Sequence, residues 1–241
     1  TELTIIKRQD EGLIICNCHR IKNGQDIEYG NSTARDFFFL ERDDEGSALE
    51  TILDLVSRRF PEAYKADPLR DVQVITPLRE KTGLSCKAIN AEFQRRLNKK
   101  APVERCRFKE GDKVIQTKNQ YDLDIINGDI GYVKDIDKEF KTITVEFENP
   151  ERVVDLPLHA NDLELAYAIT AHKFQGSEAR IVVIPIHHSF GGLIMQRNWI
   201  YTAVSRARKV CVLVGQRGQV FKTIRRNKQQ RRFTRLAEML K

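Results

Sequence analysis

Several short segments of this chain carry side chains suited to contact with phosphate. In VQVITPLREKTG, residues 72–83, Thr76 ends an apolar run that reads as a buried strand, where α/β proteins place their sites. A hydroxyl or backbone N–H there can bond a phosphate without reading sequence. Arg79 and Lys81 add charge. In GDKVIQTKNQYDLDIINGDIGYV, residues 111–133, Lys113, Lys118, Asn119 and Tyr121 suit a single strand through charge and stacking, although Tyr121 serves equally well as a packing residue. Two further segments, AYAITAHKFQGSE (166–178) and WIYTAVSRARKVCVLVG (199–215), gather polar and basic residues around Gly176, where backbone can approach a phosphate closely.

Other chemistries are poorly supplied. No G-x-x-x-x-G-K-[ST] occurs, so the chain holds no phosphate cradle of the P-loop type. Lys81-Thr82-Gly83 lacks the Ser-x-x-Lys that would make it a β-lactamase triplet. Asp43-Asp44-Glu45 lies past a strand end and reads as a solvated turn. Cys16-Asn17-Cys18-His19 has no second Cys or His pair at zinc spacing; LIICNCH reads instead as a buried strand in which Cys acts as a small hydrophobe. No metal site is expected, and no paired-carboxylate cluster supports a nuclease.

The elements that must position these residues follow from composition and pattern. The 241 residues are 41% hydrophobic and 31% charged, which excludes a disordered chain and allows one or two globular domains. A net charge of +7 favours a polyanionic partner. Nine Lys or Arg fall in residues 217–241 against one acid, Glu238; Phe233, Leu236, Ala237 and Leu240 recur there at helical spacing, so a basic amphipathic helix is expected. Five scattered cysteines suit a reducing compartment, and neither a signal peptide nor a membrane-spanning run is evident, so a cytoplasmic location is expected. Nearly continuous apolar runs predict buried strands at Leu13–Cys18, Phe37–Leu40, Val72–Ile75, Ile181–Ile186 and Val210–Val214. Helices are predicted over Gly46–Arg59, Lys87–Asn98, Arg197–Ser205 and Gln219–Leu240. Such alternation implies an α/β domain with a mostly parallel sheet. Between Phe108 and Leu165, short strands at Lys113–Gln116, Ile130–Val133, Thr142–Phe147 and Val153–Leu156, separated by turns at Asn127-Gly128 and Asn149-Pro150, predict a small all-β module.

Taken in order, these segments resemble the RecD-like branch of superfamily 1 DNA helicases. The resemblance is carried by LTIIKRQDEGLIICNCHRIKNG (3–24), similar to the family's R-Q pair and A-H-x-I-N-x-G stretch, by 72–83, by 111–133, and by the pair 166–178 and 199–215. The chain departs from the pattern at Cys18, where Ala is frequent, and at Lys22-Asn23. The resemblance implies that Arg8 touches the γ-phosphate of ATP. Thr76 and Arg79 would meet the DNA backbone, as would Thr170, His172 and Lys173. Gln175, Gly176, Ser177 and Glu178 would lie near the nucleotide, with Glu178 on the ribose. Arg206 would be an arginine finger, its guanidinium fork stabilising charge that builds on the γ-phosphate; Arg208 and Lys209 would be auxiliary.

The implied fold is a RecA-like domain of the P-loop NTPase type, residues 1–107 and 166–241, with an SH3-like β-barrel inserted at 108–165. The implied function is the C-terminal motor half of an ATP-dependent 5′→3′ DNA helicase. The chain opens at Thr1 inside the first motif and is expected to be a piece of a longer protein, inactive alone. A missing N-terminal RecA-like domain would supply the P-loop lysine and the Mg²⁺ ligands. Partners would be single-stranded DNA, that domain, and recombination or repair proteins. The alternative is a catalytically silent nucleic-acid-binding or adaptor module with a RecA-like fold; a P-loop encoded upstream separates the two.

Overall fold

The computed structural model describes residues 12–30, 36–148, 150–159 and 162–227. In chain order the elements are α1 (Leu13–Lys22), β1 (Phe37–Glu41), α2 (Glu45–Asp54), α3 (Phe60–Tyr64), β2 (Val72–Thr76), α4 (Cys86–Leu97), β3 (Lys113–Gln116), β4 (Ile130–Asp137), β5 (Thr142–Glu148), β6 (Glu151–Pro157), β7 (Leu163–Leu165), β8 (Ala168–Thr170), β9 (Ala179–Ile186), α5 (Arg197–Val204), β10 (Ala207–Gly215) and α6 (Arg217–Arg225). The sheet at the centre is five-stranded and parallel, in the order β1-β10-β9-β2-β8. Its strands β2, β9 and β10 are apolar almost throughout because helices cover them: α1, α5 and α6 pack together, as do α2 and α4. Even the amide nitrogen of Gln73, buried in β2, donates to the carbonyls of Ala166 and Tyr167, both at 3.1 Å, which fastens β2 to the entry of β8.

One predicted strand is a helix. Leu13–Cys18 opens α1, whose buried positions are Ile14, Asn17, Cys18 and Ile21, the spacing of one helical face. Asn17 hides that face in the sequence. Its buried amide donates to the Glu28 carbonyl and accepts from the Glu28 N–H, both at 2.7 Å, so it satisfies backbone inside the core. Cys18 packs beside it, and burial pushes its thiol up to about 12, as suits a structural cysteine.

The predicted helix Gly46–Arg59 is longer and broken. α2 passes into a π-helical turn, Leu55–Arg59, and then α3, whose Pro61 has no N–H to continue the regular ladder. Asp43–Glu45 does more than form a solvated turn: Asp44 caps α2, its carboxylate accepting from the Ser47 N–H at 2.8 Å. The basic C-terminal helix is described only as α6; Phe233, Leu236, Ala237 and Leu240 lie outside the described residues.

The second sheet is antiparallel, in the order β6-β5-β4-β3-β7, with Thr142–Glu148 alternating in and out so that Ile143, Val145 and Phe147 face a separate core. Gly131 faces β5 so closely that a Cβ would stand 2.7 Å from a Val145 methyl and 2.9 Å from the Glu146 carbonyl oxygen. Asp112 ties this sheet to the first. Its carboxylate accepts from the Tyr167 hydroxyl at 2.8 Å and the Asn98 amide at 2.7 Å. No helix among the described residues is long and apolar enough to cross a membrane.

Candidate nucleic-acid and nucleotide interface

Neighbouring strands β2 and β8 end level with each other, Thr76 beside Thr170, at the carboxyl edge of the parallel sheet. Thr76 itself is fully buried, and its hydroxyl donates to the Leu84 carbonyl at 2.6 Å. This corrects the reading of Thr76 as a phosphate ligand through its side chain. The hydroxyl closes the loop 77–85, which the N–H groups of Cys86 and Lys87 also hold through the carbonyls of Leu78 and Arg79, both at 2.9 Å. Glu45 clamps the far side of the loop by accepting from the Gly83 N–H at 2.7 Å. Partial burial opposes ionisation of Glu45, yet bonds from Ser189 and Gly83 hold its carboxyl below the usual range. Arg79 projects from this loop with 67% of its side chain exposed. Beyond β8, Thr170 is half-buried and His172 exposed. Lys173 reaches Glu164 at 2.7 Å, and Arg79 pairs with the other oxygen of the same carboxylate.

The antiparallel sheet adds a second group. Asn119 donates to the Tyr121 hydroxyl at 2.7 Å and accepts from the Asn127 N–H at 2.8 Å, which fixes the ring while leaving Tyr121 77% exposed. Packing therefore does not account for Tyr121. Lys118 pairs with Asp162 at 2.7 Å. Lys113 is a correction: it is only 4% exposed, and its ammonium donates inward to the Val72 carbonyl at 3.2 Å. Burial pushes it down to about 8 against the opposing pull of Glu148 and Asp67. β3 is covered on both faces, so its polar ends turn in with the rest.

Residues 171–178 run back from the carboxyl end of β8 to the amino end of β9, with buried Phe174 anchoring the crossing. From the strand registers, Thr170 and Ala179 differ by six residues in level, ~20 Å at ~3.3 Å per residue. The two ends of one motif thus sit at opposite edges of the sheet. At the β9 end, Gly176 has φ +87° and a Cβ built there would meet nothing within 4 Å, so its backbone is open to a ligand. Gln175 and Glu178 are exposed, Glu178 paired with Arg208 at 3.2 Å. Arg206, just before β10, donates to the carbonyls of Ser177 at 3.3 Å and Thr202 at 3.2 Å, while its own carbonyl accepts from the Ala179 N–H at 3.0 Å. The parallel pairing of Ala207 with Ala179 makes this meeting obligatory.

The structure therefore gathers Gln175, Gly176, Ser177, Glu178 and Arg206 at one edge, and Arg79, Thr170, His172 and Lys173 toward the other. Arg8 lies outside the described residues. Sequence reasoning passed over Asp162 and Glu164, the acids that meet the exposed cations; their alternation around buried Leu163 was the available signal. Among the described residues no three His, Cys, Asp or Glu side chains are placed to hold a metal.

Comparison with known proteins finds helicase relatives for both sheets. Residues 89–147 match the model of the ATP-dependent RecD-like DNA helicase SH3 domain, and residues 165–214 match the UvrD-like helicase C-terminal domain. The chain is 36% identical over 141 residues to the ATP-dependent RecD2 DNA helicase of Deinococcus radiodurans, covering 57% of this chain and 19% of that protein. It is 31% identical over 116 residues to the RecBCD enzyme subunit RecD of Mycobacterium tuberculosis, covering 48% and 20%. The chain thus spans about a fifth of the length of these curated relatives. In fold it is similar to Bacteroides Pif1 helicase crystallised with ADP-AlF3 and ssDNA, with a TM-score of 0.59 and 20% identity over 93% of this chain and 53% of that one. A second structure of Bacteroides Pif1, bound to ssDNA, gives 0.55 and 21% over the same shares. The α/β unit with its parallel sheet thus has the fold of the helicase structures it resembles, and the chain carries a match to a RecD-like helicase SH3 domain followed by a match to a UvrD-like helicase C-terminal domain.

Proposed function

We propose that this chain is the second motor domain of an ATP-dependent 5′→3′ DNA helicase. Residues 1–107 and 166–241 form the RecA-like unit, and 108–165 the SH3-like insertion. One observation carries the reading: the segment 166–178 joins two groups of candidate ligands at opposite edges of one parallel sheet. His172, Lys173, Thr170 and Arg79 hold the backbone of a single DNA strand at one end, with Lys118, Asn119 and Tyr121 extending that track. Gln175, Gly176, Ser177, Glu178 and Arg206 face ATP at the other, and the family resemblance assigns Arg8, which lies outside the described residues, to the γ-phosphate as well. The residues fit such a ligand, since the backbone at Gly176 is open and a guanidinium stands fixed beside it.

Mg²⁺ and a P-loop lysine supply charge neutralisation at the phosphates when present; their ligands belong to a partner RecA-like domain, and this chain alone does not turn over ATP. Arg206 stabilises charge developing on the γ-phosphate oxygens, and Glu178 orients the ribose. Movement of 166–178 as one rigid crossing transmits closure of the nucleotide cleft to the strand grip. In the full-length protein Arg206→Ala should lower hydrolysis by about 10³–10⁵ and leave strand binding intact. Near-normal ATPase activity of that variant would remove Arg206 from the site.

A further inference from the structure

We infer that Glu164, with Asp162, is an internal counter-charge that occupies the cations a DNA strand must use, and that it sets the affinity of the strand site. The inference rests on the strand reading proposed above. Three candidate cations come from three separate places: Arg79 from the loop after β2, Lys173 from the segment after β8, and Lys118 from the loop after β3. All three turn to one short acidic strip. Glu164 takes Arg79 on one carboxylate oxygen and Lys173 on the other, the latter at 2.7 Å, while Asp162 takes Lys118 at 2.7 Å.

Two charge-bearing oxygens, each holding one cation, match what a phosphodiester presents. The strip is fixed by its backbone. Leu163 is buried, so Asp162 and Glu164 on either side of it share the opposite face. The Asp162 carbonyl accepts from the Thr117 N–H at 2.7 Å, and Glu164 pairs with Ile115 in the sheet. The backbone beneath both carboxylates is therefore held by the sheet, and the longer cationic side chains reach in to them from outside it. Arg79 and Lys118 are 67% and 71% exposed, and such pairs are weak enough for a strand to displace; Lys173, 23% exposed, is held more firmly. A cleft of about 600 Å³ lined by Arg79, Lys87, Arg107, Phe108 and Glu164 leaves room beside the strip for the incoming chain.

The test is a fluorescence-anisotropy titration of a labelled oligodeoxythymidylate with the full-length protein from low to high salt. Each cation freed for a phosphate adds about 0.7 to the salt slope, which is about fivefold in affinity at 0.1 M salt. Glu164→Gln should bind about 5- to 25-fold more tightly than wild type, with a slope steeper by up to about 1.4. Asp162→Asn, a second and independent variant, should gain about fivefold. Glu139→Gln removes the same charge from an exposed turn outside all three ion pairs and should stay within about twofold of wild type. Unchanged or weaker binding by Glu164→Gln, where Arg79→Ala and Lys173→Ala weaken the wild type, overturns the counter-charge and leaves the strand site standing. Wild-type affinity that ignores salt and is untouched by Arg79→Ala and Lys173→Ala ends both.

Discussion

Replacing Lys113 by Met should make this protein more stable at neutral pH. The ammonium is buried and donates to the Val72 carbonyl, and its pKa is pushed down from 10.5 to about 8 by desolvation. That depression means the folded protein holds the charge less readily than the unfolded chain. Above pH ~10.5 the amine is neutral in both states and carries no penalty. As pH falls the penalty grows, and it is complete below about 8. A fall from 10.5 to about 8 amounts to about 3 kcal/mol of stability withheld at pH 7.

Methionine fills the same space without charge and loses the bond to Val72, which costs about 1 kcal/mol. The net expectation is a gain of about 2 kcal/mol at pH 7, or about 4–8 °C in Tm for a protein of this size. The gain should shrink to near zero by pH ~10, because the wild type then folds with the amine neutral. Urea unfolding of both proteins at the two pH values measures this directly. A variant less stable than wild type at pH 7, or an advantage that does not change with pH, would show that the ammonium is solvated or compensated and that the burial argument is mistaken.

Asn17→Ala removes both bonds to the Glu28 backbone and should destabilise the fold by about 1–3 kcal/mol in the same urea assay; a loss under ~0.5 kcal/mol would mean water replaces the amide. Tyr121→Ala should leave stability within about 0.5 kcal/mol, because the ring is exposed, and weaken single-strand binding by about 1–3 kcal/mol if a base stacks there. Unchanged anisotropy titrations for that variant would take Tyr121 off the strand track.

Much of the parallel sheet is legible in the sequence because strands buried on both faces cannot carry polar residues freely, and Phe37–Leu40, Val72–Ile75, Ile181–Ile186 and Val210–Val214 all appear as strands. The same rule fails at α1, where an apolar run followed by a buried asparagine is indistinguishable from a strand until Glu28 is seen to satisfy that asparagine. β7 and β8, three residues each, are too short for any periodicity and exist through pairing with β3 and β2. At the candidate site, spacing foretold the meeting of Ser177 with Arg206 only through resemblance, since 28 residues separate Arg206 from Glu178 and the sheet alone joins them. Side-chain direction was not legible at Thr76 or Lys113: both occupy strands whose two faces are covered, and their polar atoms are consumed by Leu84 and Val72.

The central claim is that one crossing, 166–178, carries a strand grip at one end and a nucleotide contact at the other. The dependence of ATP hydrolysis on single-stranded DNA concentration, measured in the full-length protein, reads both ends in a single curve. Thr170→Ala combined with His172→Ala should raise the half-saturating DNA concentration and leave the DNA-free rate unchanged. Arg206→Ala should collapse the plateau by about 10³–10⁵ while direct titration shows the same DNA affinity as wild type. If the Thr170 and His172 changes lower the DNA-free rate without moving half-saturation, or if Arg206→Ala weakens DNA binding and spares the rate, the two ends do not have these separate tasks and the account is wrong.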